Sequence, residues 1–261
     1  MGYATSLLLA LIGGTAFAQP ETPPPDLQLF LLIGQSNMAG RGIVEAQDRE
    51  PIRRIWMLNK ALDWVPAIDP MHSDIPAAGV GLGRSFARVL TRAAPNANIG
   101  LIPSAVGATS LDQWKADGKH YSDAVRRTRA AMRSGKLRGI LWHQGEGEAS
   151  DMALASSYRD RFTVMIERMR ADLGAPGVPV IAGQLCETAP KPYRQAVDEQ
   201  LALIPFRVPH SACVSSAGLR HEEGQVHFNA PELREFGRRY GYAFLMLDPT
   251  WAPNSASPTA P

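Results

Sequence analysis

The sequence predicts an α/β protein organised around a mainly parallel sheet, and three observations carry that expectation. Apolar runs of strand length alternate with longer segments of helical period. Polar residues cluster where several of those runs end. No internal linker or repeat breaks the pattern, so a single large domain accounts for it.

The first strand is "LQLFLLIG" (27–34), an apolar run that stops abruptly at Gln35-Ser36-Asn37. "RRIWML" (53–58) is the second, and a turn-rich stretch (59–83) leads from it towards a helix over 81–93. "NIGLIPS" (98–104) is the third strand and runs into Ser104-Ala105-Val106-Gly107-Ala108-Thr109, with a helix over 122–134 beyond. "RGILWHQ" (138–144) ends in His143-Gln144-Gly145-Glu146 and is followed by a long helix over 149–173. "VPVIAGQL" (178–185), a helix over 192–203 and "SACVSS" (211–216) complete the alternation. A polar cluster, "HEEGQVHFN" (221–229), precedes the last helix over 231–246, whose start Asn229 and Pro231 mark. Parallel strands joined by helices point their carboxyl ends to one side, where ligands bind. Four polar clusters at that edge therefore read as one site rather than four turns.

The chain of 261 residues is 45% hydrophobic and 20% charged, ordinary for a globular domain. Its formal charge of +2 comes from Lys and Arg spread along the chain, which leaves no electrostatic footprint for nucleic acid. Residues 1–18 hold an apolar run from Leu7 to Ala18 that ends in Ala16-Phe17-Ala18, a small-x-small cleavage pattern. The run falls short of the roughly 20 residues needed to span a bilayer. It reads as an export signal to the periplasm or the exterior, leaving a mature chain without a membrane span. No Lys or Arg precedes the run, and a buried N-terminal helix is the other reading. Residues 19–26 then form a Pro-rich leader, 27–247 the folded domain and 248–261 a disordered tail. The two cysteines, Cys186 and Cys213, sit at strand ends, either as a disulfide or as separate thiols.

A serine hydroxyl is a poor nucleophile until a base takes its proton, and that base is usually a histidine held by a third group. Ser36 at the end of the first strand and His227 ahead of the last helix supply these types. Each has a plainer reading, Ser36 as a helix cap and His227 as a packed or capping histidine. The segment also departs from the G-x-S-x-G elbow, with Gly34 two before the serine but Met38 two after it. Acyl transfer needs oxyanion donors, and losing one costs about 10²–10³ in rate. The N–H groups of Ser36 and Gly107 and the amide of Gln144 are candidates; Gly107 also fits a turn and Gln144 a buried amide. The histidines show no HExxH or comparable spacing, and His143 with Glu146 does not close a metal site.

"GQSNMAGRG" (34–42), "IPSAVGATSLDQW" (102–114), "LWHQGEGEA" (141–149) and "VHFNAPELREFGRRY" (226–240) resemble four blocks of one group of enzymes. That group is the sialate O-acetylesterases and acetylxylan esterases, similar to carbohydrate esterase family 6, in the SGNH/GDSL hydrolase superfamily. The resemblance covers nearly all of 27–247. It implies a three-layer α/β/α sandwich, flavodoxin-like, and a serine esterase that removes acetyl groups from carbohydrate without metal or cofactor. Carried over, Ser36 matches the nucleophile, His227 the base, and Gly107 and Gln144 the oxyanion donors. An Asp usually stands three residues before the catalytic His, and here that position is Gly224. The Glu of the HQGE block, assigned as the acid in this group, matches Glu146; Glu222 and Glu223 are the alternatives.

Loops over strand ends commonly carry binding residues. Trp64 and His72 in the turn-rich stretch, Trp114 and Tyr121 after the second block, and Arg41 beyond the nucleophile are the candidates for holding a sugar. Packing is the competing role for the aromatic residues and a plain surface position for Arg41. The partner expected is a small or polymeric acetyl ester. A carbohydrate-binding protein without catalysis and an esterase of non-carbohydrate short-chain esters are the rival readings.

Overall fold

The computed structural model describes residues 23, 25–219 and 226–251. The export segment 1–18, Glu222, Glu223 and Gly224, and the tail from 252 onward lie outside the described residues.

In chain order the elements are β1 (Leu27–Gly34), α1 (Ser36–Ala39), α2 (Ala46–Arg49), β2 (Ile55–Leu58) and β3 (Trp64–Pro66). There follow α3 (Gly83–Ala93), β4 (Ile99–Pro103), α4 (Lys119–Ala131), β5 (Gly135–His143), α5 (Met152–Ser156) and α6 (Tyr158–Asp172). The chain then forms β6 (Val180–Gly183), α7 (Arg194–Ala202), β7 (Ser211–Val214) and α8 (Ala230–Leu247).

One sheet of seven strands runs in the order β3-β2-β4-β1-β5-β6-β7. Every pairing is parallel except that of β2 with the edge strand β3. β1 lies in the middle, with β4 on one side and β5 on the other. The chain builds β2 and β4 on one side of β1 and then crosses to β5. The crevice at such a switch in direction opens at the carboxyl end of β1, where Ser36 stands. β4 intervenes between β2 and β1, so the strand order differs from the 2-1-3-4-5 of flavodoxin within the same layered architecture.

Alternate residues of β1 serve the two faces of the sheet. Leu27, Leu29, Leu31 and Ile33 pack with Tyr158, Phe162 and Val197 of α6 and α7. Phe30 and Leu32 pack with Phe86 of α3 and Phe236 and Phe244 of α8. Covering both faces is why the run from Leu29 to Ile33 is continuously apolar instead of alternating. The result is the expected three-layer α/β/α sandwich.

Three sequence expectations are corrected. The helix expected over 149–173 is broken, because Asp151 ends a short 3-10 turn (Glu148–Ser150) and caps α5 by accepting the Leu154 N–H at 3.0 Å. Trp64 lies in β3 and packs on the sheet, its ring so close over Gly100 that an added Cβ there would stand 2.8 Å away. The folded part also runs past Leu247: Pro249–Trp251 make a 3-10 turn, and buried Trp251 donates to the Leu90 carbonyl at 3.1 Å. Cys186 and Cys213 are free thiols.

Candidate active site

Gly34 ends β1 with φ +126, and its backbone passes so close to β5 that a Cβ would stand 2.1 Å from the His143 carbonyl. Only glycine turns there. The Gln35 N–H donates to that carbonyl at 2.8 Å, and the chain enters α1 at Ser36. Gln35, not Ser36, occupies the cap position, so the serine hydroxyl is not spent on capping. It is instead hydrogen-bonded to Nε2 of His227 at 2.9 Å. The N–H of Ser36 belongs to the first turn, whose amides a helix leaves without an intrahelical partner.

Ser36 and His227 line a cavity of about 480 Å³ with Arg41, Gly107, Glu146 and Lys191. A second recess of about 280 Å³ shares Arg41 and His227 and reaches Glu45 and Pro231. Burial lowers the pKa of His227 below 6.5; the charge of Arg41 lowers it further and that of Glu146 opposes the shift. The imidazole is therefore neutral at neutral pH and able to accept a proton.

Glu146 is 3% exposed and its Oε1 accepts a hydrogen bond from Asn37 Nδ2 at 2.7 Å. Its Oε2 has no partner among the described residues, and Nδ1 of His143 lies 3.9 Å from Oε1. No hydrogen bond joins Glu146 to the ring of His227; its charge alone opposes the lowering of the ring's pKa.

The expected oxyanion donors are placed differently from the sequence reading. Gln144 is wholly buried, and its amide donates to the Thr109 carbonyl at 3.0 Å and to Glu148 at 2.5 Å. Its Oε1 accepts from the Tyr158 hydroxyl at 3.1 Å. Both N–H groups are committed, so Gln144 ties the loop after β4 to the turn after β5 and has no donor left for an oxyanion. The Gly107 N–H faces the site but donates to Asp74 Oδ2 at 2.9 Å. That carboxylate also pairs with Arg41 at 2.6 Å. A Cβ on residue 107 would stand 2.4 Å from the Arg41 guanidinium, so any larger residue would have to displace that side chain. Burial works against the charge of Asp74, but the hydrogen bonds from Arg41 and Gly107 outweigh it and hold its pKa below 3.8.

Of the proposed sugar-binding residues, only Arg41 reaches the cavity. Trp114 is fully buried, donates to Thr109 Oγ1 at 3.0 Å and stands edge-on to Trp142. Tyr121 is buried and donates to Asp172 at 2.7 Å. His72 is buried behind Asp74, its pKa lowered to about 4 by desolvation although Asp74 opposes the shift. Sequence reasoning placed Asn37 in the first polar cluster and Asp74 in the turn-rich stretch but gave neither a role. Asn37 was visible inside the GQSNM block, whereas nothing local distinguishes Asp74.

The profile of the family described as carbohydrate esterase, sialic acid-specific acetylesterase, matches residues 26–246. The chain belongs to that family. A probable carbohydrate esterase of Arabidopsis thaliana is 30% identical over 246 residues, covering 86% of this chain and 93% of that protein. The crystal structure of the Arabidopsis protein superposes with a TM-score of 0.79 at 29% identity, over 86% of this chain and 99% of that one. A carbohydrate acetylesterase from Xanthomonas citri shares the fold, with a TM-score of 0.64 at 18% identity, over 84% of this chain and 56% of that one. The protein is thus a carboxylic ester hydrolase of the carbohydrate esterase type. Among the described residues, no helix is long and apolar enough to cross a membrane.

Proposed function

We propose that the esterase removes O-acetyl groups from a carbohydrate through an acetyl-serine intermediate on Ser36. The observation that carries this reading is the 2.9 Å hydrogen bond between Ser36 Oγ and His227 Nε2 at the wall of an open cavity. His227 takes the hydroxyl proton as Oγ attacks the acetyl carbonyl. The Ser36 N–H receives the oxyanion, joined by the Gly107 N–H when Asp74 moves off it. Collapse of the tetrahedral species breaks the bond to the sugar oxygen, which leaves with the proton held by His227. Water then gives a proton to His227 and attacks the acetyl carbonyl. Acetate leaves as His227 returns the proton to Ser36 Oγ.

Glu146 supports the protonated state of His227 through its charge, which favours the imidazolium that forms in each step. The substrate class is an acetylated glycan such as an acetylated sialic acid or xylan. The small side chains of Ala108 and Val226 in the cavity wall suit a short acyl group. The apolar run that ends in Ala16-Phe17-Ala18 supports export, with the domain then acting in the periplasm or outside the cell.

The test is acetate release from acetylated sialic acids, acetylated xylo-oligosaccharides and aryl acetates by wild type and Ser36→Ala. Release from at least one glycan by wild type alone is expected. Wild-type turnover confined to aryl esters would remove the carbohydrate assignment.

A further inference from the structure

The amide of Asn37 is fully buried and makes three hydrogen bonds that converge around the base. Its Nδ2 donates to Glu146 Oε1 at 2.7 Å and to the Val226 carbonyl at 3.0 Å. Its Oδ1 accepts the N–H of Phe228 at 3.1 Å. Val226 and Phe228 are the neighbours of His227 on either side, and the Phe228 ring is itself fixed edge-on to Phe236 of α8. Two acceptors lie against the NH₂ and one donor against the oxygen, so the network dictates which way the amide faces. Only a carboxamide satisfies all three groups at once.

We propose that Asn37 is the positioning residue of the catalytic base: its amide staples the main chain on both sides of His227 to the carboxyl group of Glu146. The imidazole is thereby aimed at Ser36 through its own backbone; among the described residues, no carboxylate is hydrogen-bonded to its ring. Asn37 follows the nucleophile directly, so one turn of α1 sets both partners of the Ser36–His227 bond. Glu146 serves as the buried anchor of the staple. This inference rests on the assignment of Ser36 and His227 given above.

Two consequences separate a staple from a carboxylate that must be charged. Glu146→Gln keeps a carbonyl oxygen for Asn37 Nδ2 to donate to, so the staple survives loss of charge. Asn37→Asp keeps the acceptor for the Phe228 N–H but sets two carboxyl groups against each other. They share a proton at low pH, which restores one of the two donors the amide supplied, and repel when it is lost. The titratable and charged groups facing this pair among the described residues are His143 on β5, Tyr158 on α6, Asp198 on α7, Tyr240 on α8 and His227 itself. Arg41 adds its charge at the ring of His227.

The test measures the rate at which a fluorophosphonate phosphonylates Ser36, read by intact mass between pH 5 and 9, beside acetate release. The probe reports the Ser36–His227 pair without a sugar, so it separates failure of the staple from failure of the carbohydrate assignment. Asn37→Ala is expected to lose roughly 100-fold in labelling rate, the scale of a misplacement of about 1 Å, and Glu146→Gln less than tenfold. Asn37→Asp is expected to fall further behind wild type as pH rises. Labelling of Asn37→Ala within threefold of wild type would overturn the proposal. So would a loss in Glu146→Gln as large as that in His227→Ala. If Asn37→Ala does not fold, the isosteric Asn37→Asp carries the test, and a deficit independent of pH counts against the staple.

Discussion

Ser36 Oγ and His227 Nε2 stand 2.9 Å apart although 191 positions separate them in the chain. The central strand delivers one and the approach to the last helix delivers the other, so the pair exists only in the completed fold.

Ser36→Ala removes the nucleophile and leaves the packing of β1 untouched, because the hydroxyl faces the cavity. Loss of at least about 10³-fold in kcat for acetate release is expected, with an unchanged melting temperature. Steady-state kinetics with thermal unfolding of the same sample checks it, and turnover within tenfold of wild type refutes the nucleophile assignment.

The base must be neutral to take a proton, so kcat/KM rises with pH through the pKa of His227. Burial and Arg41 set that pKa below 6.5, which places the acid limb below pH 6.5 and a plateau at neutral pH. Arg41→Met removes a charge that disfavours the imidazolium, and the limb is expected to move to higher pH. A limb that stays in place would show that Arg41 does not act on the ring.

Asp74 neutralises Arg41, with a pKa held below 3.8 so that the pair persists through mildly acidic pH and is lost only as pH falls below that range. Asp74→Asn keeps an acceptor for the Gly107 N–H but leaves Arg41 with an uncompensated charge. The ratio of kcat/KM for an acetylated sialic acid over a neutral acetylated xylo-oligosaccharide is expected to rise about tenfold, the effect of ~1.4 kcal/mol. Paired kinetics on the two substrates decides, and a constant ratio would take Arg41 out of substrate recognition.

Trp114 belongs to the core and not to a sugar platform. Trp114→Ala should cost about 3–5 kcal/mol of stability, while KM of the folded fraction stays near that of wild type. Denaturant unfolding measures the first and initial rates the second; a rise in KM with little loss of stability would return Trp114 to the binding surface.

What the sequence made legible is what local pattern encodes. β1 was readable because a strand buried on both faces runs apolar without alternation, here from Leu29 to Ile33, and Asn229 with Pro231 announced α8 through the chemistry of helix starts. β3 was not readable, since a three-residue edge strand ending in Pro66 looks like the turns around it. Ser36 and His227 became candidates through residue type and position, and the resemblance to known blocks implied their roles. Sequence named Gln144 as an oxyanion candidate without saying which way its amide faces; in the fold its N–H groups go to the Thr109 carbonyl and to Glu148. Asn37 escaped for the same reason, since its partners lie 109 and 189 positions away.

The carboxylate that Asp74 lays on the Gly107 N–H is an anion tethered to one of the two N–H groups proposed to receive the oxyanion. A tethered group competes at an effective concentration of about millimolar or above. Free acetate at lower concentrations is expected to leave that carboxylate in place. Weak product inhibition by acetate would then follow from the resting protein itself, which meets its own product with a competitor that never diffuses off.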